Sequence, residues 1–236
     1  MGAKFIKHAL REKPRSTALH GVSSRDRGTL ISFEGPDGCG KSTQVRLLEE
    51  SLRADGYPVL VTREPGGTRM GKILRSLVLN PKNVNLSQRA ELFLYLADRA
   101  QHVHEVVAPA LMLGKIVLVD RYMDSTWVYQ GMGRGLPLGF IESCNLFAVA
   151  GMVPHLTLVF DVSAQVGLAR VGRGKLRRDR MEAQSIAFHR RVCSGFRRLK
   201  KRFGSRVVIL NANAPIQKIH AEVQKIVHKR LGGTIP

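Results

Sequence analysis

Apolar and polar positions alternate between two rhythms along this chain, and the change of rhythm marks the elements. Short β-branched, apolar runs at residues 29–33, 58–62, 115–120, 156–161 and 206–210 have strand length and no polar alternation. That pattern belongs to strands buried on both faces of a parallel sheet. Between them the apolar positions recur at helical spacing. A helix begins after residue 42 and stops at Gly56, a long one is capped by Ser87 and runs to about residue 113, and another spans 140–150 before Gly151. Ser163 caps a helix over 164–171. Met181, Phe188, Val192, Phe196, Leu199 and Phe203 form one stripe of a helix over 181–203, and Asn213 and Pro215 start a terminal helix through Val227. Alternating strands and helices predict a single α/β domain over residues 29–236.

The first strand runs into Gly35-Pro36-Asp37-Gly38-Cys39-Gly40-Lys41-Ser42, which fits the G-x-x-x-x-G-K-[ST] phosphate-binding loop without a mismatch, followed by Thr43 in the helix. Glycines let the loop turn its N–H groups inward as an anion nest, and the opening helix adds the positive end of its dipole. Lys41 is placed for the β and γ phosphates and Ser42 for a magnesium ion. The strand at 115–120 ends in Asp120, followed by Arg121, where such proteins place an acid for the metal and a cation for phosphate; an Asp that merely caps the next helix is the alternative. Arg63, in a stiff Arg-Glu-Pro-Gly-Gly turn, stands beyond the end of the second strand, where open parallel sheets bind ligands. Tyr95 and Arg99 share a helix face. A ring can stack on a flat heterocycle while a guanidinium bonds its carbonyl edge, although spacing alone reads Tyr95 as a core residue.

Charge widens the field before motifs narrow it. Thirty-eight Lys and Arg against eighteen Asp and Glu give +20, which attracts nucleotides and nucleic acids alike. The excess gathers in the Arg- and Gly-rich segment 172–180, whose composition suits a lid closing over a triphosphate, and in a helix carrying Arg190, Arg191, Arg197, Arg198, Lys200, Lys201 and Arg202, read as a solvated face. His189 beside it is read as solvated too. Residues 1–28 hold seven basic and two acidic side chains without periodicity and read as a flexible extension, organelle targeting being the lesser alternative. Cys39, Cys144 and Cys193 show no paired spacing, which points to a reducing, cytoplasmic setting. No apolar run is long enough to span a bilayer, so no membrane partner is expected.

Six blocks together resemble the thymidylate kinases in order and spacing. They are 33–35 with the phosphate loop, Thr62-Arg63-Glu64-Pro65-Gly66-Gly67, Ala97-Asp98-Arg99-Ala100-Gln101-His102, Asp120-Arg121-Tyr122, Tyr129-Gln130-Gly131 and Asp179-Arg180-Met181-Glu182. The resemblance covers residues 29 to about 230. It implies a nucleoside monophosphate kinase fold, a five-stranded parallel sheet wrapped by helices with a short lid, usually dimeric, moving the γ phosphate of ATP to dTMP with Mg2+. It further implies that residues 35–43 hold ATP, that Arg99 and Tyr95 meet the base, that Tyr129 crowds the sugar, and that Gln130 is a further substrate contact. Asp37 then bonds the sugar, Arg63 and Arg121 clamp the monophosphate, and Ser42 and Asp120 arrange the metal. Because residues 35–40 contain no basic side chain, the extra cation falls to the lid, as in the bacterial type with lid arginines. Arg173 aligns best, with Arg177 and Arg178 behind it, although the spacing from Gly174 to Asp179 is about two residues longer than the pattern. Two alternatives remain open on sequence: a kinase of the same fold for another nucleotide, and a nucleic-acid-binding protein with a vestigial nucleotide site.

Overall fold

The computed structural model describes residues 28–174 and 178–232. Five strands, β1 (Thr29–Glu34), β2 (Val59–Arg63), β3 (Ile116–Asp120), β4 (Leu156–Asp161) and β5 (Val207–Asn211), form one sheet in the order β2-β3-β1-β4-β5. Every neighbouring pair is parallel. The helices are α1 (Lys41–Ala54), α2 (Arg69–Leu79), α3 (Gln88–His102), α4 (Ala108–Met112), α5 (Met123–Thr126), α6 (Leu138–Val149), α7 (Ala164–Gly174), α8 (Ile186–Phe203) and α9 (Ile216–Leu231). The sheet and the phosphate-loop fold class expected from sequence are both present.

Burial explains why the strands read as continuous apolar runs. β1 lies between β3 and β4, and Leu30, Ile31 and Phe33 are wholly buried. One face of the sheet packs on α1 and α9 through Ile31, Phe33, Leu48, Leu118, Leu158 and Val223. The other divides between a cluster under α3 and α8 and a cluster around Val103, Val107 and Tyr122. Ser32 and Thr157, polar and fully buried, bond each other across β1 and β4 at 2.9 Å, which removes the cost of enclosing two hydroxyls.

Several boundaries differ from the sequence reading, each for a local reason. No element was expected over residues 69–79, where α2 forms with Thr68 as its N-cap, its hydroxyl accepting from the Gly71 amide at 2.9 Å. Its Met70, Ile73 and Leu77 stay exposed, so the apolar stripe does not report a buried face. The helix expected from 181 starts at Ile186, capped by Ser185, whose hydroxyl accepts from Phe188 N, because Asp179 first ties residues 181 and 182 into a turn. No element was expected over residues 123–133 either, which are helical, as α5 and a wide π turn at Trp127–Gly133. The terminal helix continues past Val227 to Leu231. α7 runs on to Gly174 where irregular chain was expected from 172, and α3 is prolonged by a second π turn, Val103–Val107, into α4. The extension up to residue 27 and Arg177 lie outside the described residues, as does the side chain of Arg173.

One close approach fixes where α7 stands relative to the phosphate loop. Gly38 has φ +73°, and a Cβ there would meet the Gly167 carbonyl oxygen at 2.1 Å, while a Cβ on Gly167 would meet the Asp37 oxygen at 2.4 Å. Backbone therefore touches backbone, and only glycine fits on either side. Gly167→Val is expected to lower stability by about 1–3 kcal/mol, seen as a lower midpoint in thermal melts. Gly172→Ala in the same helix, with open space around it, should leave the midpoint unchanged or slightly raised.

Candidate active site

The carboxyl ends of β1, β2 and β3 open into a cleft of about 430 Å³. Lys41, Ser42, Arg63, Tyr95, Arg99, Asp120, Arg121, Tyr129 and Gln130 all line it, with Asp37. Residues from five separate stretches of sequence thus meet in one space. A smaller hollow of about 260 Å³, bounded by Gly38, Gly40, Lys41, Ser42, Thr43 and Arg170, adjoins it across the phosphate loop. Lys41 and Ser42 border both, so a group bound on either side reaches the same two residues.

The loop is shaped around its own lysine. Gly40, with φ +93°, caps α1 without any side-chain bond to the helix's first amides, and no acid occupies the first turn, so the positive helix end faces the hollow. Lys41, only 7 % exposed, donates to the carbonyls of Gly35 and Pro36 at 3.1 and 3.0 Å and stands 3.5 Å from the Cys39 sulfur. Those weak acceptors hold the ammonium in place without neutralising it. Ser42 donates to Asp120 Oδ2 at 2.7 Å, which puts two hard oxygen donors side by side, a fit for one edge of a magnesium shell. Among the described residues no group of three or more His, Cys, Asp or Glu could cage a metal, so an ion here would take its remaining ligands from phosphate and water.

β3 and the loop are joined by charge. Arg121 adopts a left-handed φ of 69°, and its guanidinium donates to Asp37 Oδ1 at 2.6 Å and to the Gly35 carbonyl at 3.0 Å. It also lies over the Tyr129 ring, 5.0 Å from the centroid, while the Tyr129 hydroxyl donates to the other Asp37 oxygen at 3.1 Å. Burial opposes ionisation of Asp37, but Arg121 and Lys41 outweigh it and hold its carboxyl below the usual carboxylate range. Burial pushes the phenols of Tyr95 and Tyr129 up, so both stay neutral. Arg63 is exposed at the cleft's edge.

Arg99 is nearly enclosed, at 2 % exposure. It donates to Glu64 at 2.8 Å, Thr126 at 2.9 Å, Asn145 at 2.6 Å and the Tyr122 carbonyl at 3.1 Å. These use four of the five N–H groups of a guanidinium, leaving one. Glu64 also binds His102 Nδ1 at 2.9 Å, and His102 Nε2 pairs with Thr62 at 2.7 Å. The sequence blocks at 62–67 and 97–102 are therefore one buried network.

Several lining residues carried no sequence signal. Arg75, which bonds the Pro65 carbonyl at 2.9 Å, and Arg170, which bonds the Ala212 carbonyl at 3.1 Å, sit on helices with nothing in their spacing to mark them. Thr126 and Asn145 matter only because Arg99 reaches them. His189, expected in solvent, is 2 % exposed. It lies beside Phe188 with ring centroids 5.6 Å apart, because residue 189 falls on the core side of α8 next to the apolar stripe. The seven basic residues of α8 are exposed, as read from the sequence. Arg178 is exposed at the far end of the 172–180 segment and does not line the cleft.

Glu34, the fully buried last residue of β1, accepts from Tyr122 N, Ser125 N and the Ser125 hydroxyl. Burial, with Asp124 nearby, pushes its carboxyl up from 4.5 to about 7. Through that window the folded chain keeps a proton that the unfolded chain has lost, so stability falls as pH rises from about 4.5 to about 7 and is level above. Glu34→Gln should flatten that slope in urea titrations between pH 5 and 8, gaining most relative to the parent at the alkaline end.

Comparison with known proteins adds family to geometry. The family model described as thymidylate kinase matches residues 33–223. A thymidylate kinase of Geobacillus sp. (strain WCH70) is 41 % identical over 208 residues, spanning 88 % of this chain and 99 % of the relative. Thymidylate kinases of Thermoanaerobacter sp. (strain X514) and Synechococcus sp. (strain JA-2-3B'a(2-13)) are 42 % and 47 % identical, covering 87 % and 86 % of this chain and 100 % and 95 % of the relatives.

Proposed function

The chain belongs to the thymidylate kinase family, and we propose from that premise that it transfers the γ phosphate of ATP to dTMP, giving dTDP for the supply of dTTP. The observation that carries the reading is the shared border of the two hollows. ATP occupies the side of Gly40 and Thr43, dTMP the side of Tyr95, Arg99 and Gln130, and Lys41 stands between.

Each residue then has a task. The loop amides of 35–43 and the α1 terminus bind the triphosphate. Lys41 neutralises charge on the moving phosphoryl group. Ser42 and Asp120 hold Mg2+, which when bound screens the phosphate oxygens. Arg63 and Arg121 take the acceptor phosphate, Arg121 leaving Asp37 free to bond the sugar. Tyr95 stacks on the base, Tyr129 closes the floor beneath the sugar, and the remaining N–H of Arg99 meets the base's carbonyl edge. The acceptor is an ionised phosphate near neutral pH, so no general base is needed, and catalysis is positioning with charge neutralisation. Residues 172–180 act as the lid, with Arg173, Arg177 and Arg178 as the candidate cations. A coupled assay of ADP release with dTMP as acceptor tests the activity, and preference for another monophosphate would reject the substrate. Arg173→Ala should lower kcat by about a hundredfold or more, and an unchanged kcat would shift the role to Arg177 or Arg178.

The enzyme acts as a cytoplasmic homodimer in this reading. Among the described residues no helix is long and apolar enough to cross a membrane. α2 packs on α3 and α3 on α6, and together they expose Met70, Ile73, Phe93, Phe140, Leu146 and Phe147, the last 90 % exposed. A second copy burying that face accounts for so much apolar surface in water. Phe147→Asp is expected to give monomers in sedimentation velocity at concentrations where the parent is dimeric.

A further inference from the structure

Glu91 is an enclosed carboxylate beside the cleft to which the mechanism gives no task. It sits in the first turn of α3, one helical turn before Tyr95, and is 1 % exposed. Gln130 Nε2 donates to its Oε1 at 2.8 Å, Arg134 donates to both of its oxygens at 3.2 and 3.0 Å, and Arg180 pairs with it at 2.6 Å. Burial works against its ionisation, yet the hydrogen bonds from Arg134 and Gln130 and the two guanidinium charges prevail and hold it below the usual carboxylate range. A carboxylate so held can only accept.

That fact orients Gln130. An amide has one end that donates and one that accepts, and the two are equal in size, so its direction is set by its partner. With Glu91 on one side, the NH2 end must turn inward. The oxygen is left to the other side, and Gln130 lines the cleft together with Tyr95 and Arg99. Among the described residues Gln130 Oε1 has no hydrogen-bond partner and is not among the sealed unpartnered atoms.

We propose that Glu91, which does not itself touch substrate, is a positioning residue that sets base selectivity by locking the Gln130 amide with its oxygen toward the cleft. That oxygen is an acceptor matched to the N3–H of a thymine or uracil ring. Cytosine carries a lone pair at N3, so the same oxygen faces it acceptor to acceptor. A site that leaves a polar group mispaired discriminates far more strongly than one that merely loses a methylene. The remaining Arg99 donor reinforces the choice at the neighbouring exocyclic position, where thymine has a carbonyl and cytosine an amine. The inference rests on thymidylate being the acceptor, and deepens that reading by assigning the rejection of cytosine to a residue outside the contact shell.

The test compares dTMP with 5-methyl-dCMP, which share sugar, phosphate and methyl group and differ only at N3 and the 4 position. In Glu91→Gln the side chain at 91 can either donate or accept, so the Gln130 amide is free to turn. The ratio of kcat/KM for 5-methyl-dCMP over dTMP should rise tenfold or more, mainly through the acceptor KM, with the KM for ATP unchanged. Arg134→Gln, which removes a partner of Glu91 but leaves the Glu91–Gln130 bond, should lower the melting midpoint without moving the ratio. In a Gln130→Met background, Glu91→Gln should add no further change in selectivity. Should Glu91→Gln fail to fold, Glu91→Asp keeps the buried charge while drawing it back from Gln130, and the same rise is expected. A folded position-91 variant with an unchanged ratio would overturn the proposal, whereas a parent enzyme inactive on dTMP would overturn the activity reading along with it.

Discussion

The site depends on cations being held before substrate arrives. Lys41, Arg99 and Arg121 are largely enclosed, and an enclosed charge without partners costs several kcal/mol. Each is met by a different kind of acceptor. Lys41 rests on neutral carbonyls and a sulfur, Arg121 on Asp37 and a tyrosine ring, and Arg99 on Glu64 with three neutral oxygens. The difference matters for electrostatics: a cation held only by dipoles keeps its full charge, whereas Arg121 and Arg99, each paired with a carboxylate, are partly compensated and fixed in direction.

The sheet order turns these local arrangements into one site. With β3 beside β1, Phe33 and Asp120 are in register, so the start of the phosphate loop and the acid and arginine that follow β3 emerge side by side. β2 on the far side of β3 brings Arg63 opposite Asp120, and the turn beyond it carries Glu64 under Arg99. β4 on the other flank leads to α7, whose Gly167 touches the loop backbone. Parallel strands make all these ends point one way, which is why a cleft forms at that edge of the sheet.

Around the cleft, buried carboxylates act as organisers. Glu34 holds the turn after β3, Glu64 joins Arg99 to His102, Asp124 pairs with Arg206 at 2.7 Å beneath the sheet, and Glu91 gathers Gln130, Arg134 and Arg180. Such groups contribute direction more than net stability, because much of each attraction offsets desolvation. The rejection of a wrong base is then a property of the support as much as of the contact.

The sequence by itself determined the strands, the loop chemistry and the family. β-branched apolar runs have few other stable uses, and a glycine-rich loop between strand and helix has one strong physical meaning. It also placed Ser87 as a cap correctly, because that bond is local and spans three residues. It missed α2, whose Met70, Ile73 and Leu77 are exposed, and put His189 in solvent, because a histidine beside a run of arginines looks wet until its helix is turned against a core. Only the tertiary structure decided what Glu64, Glu91, Thr126 and Asn145 do. Their partners lie 27 to 46 residues away in sequence for the Arg99 contacts and 39 away for Gln130, and no periodicity encodes a hydrogen bond that exists only after separate helices have packed.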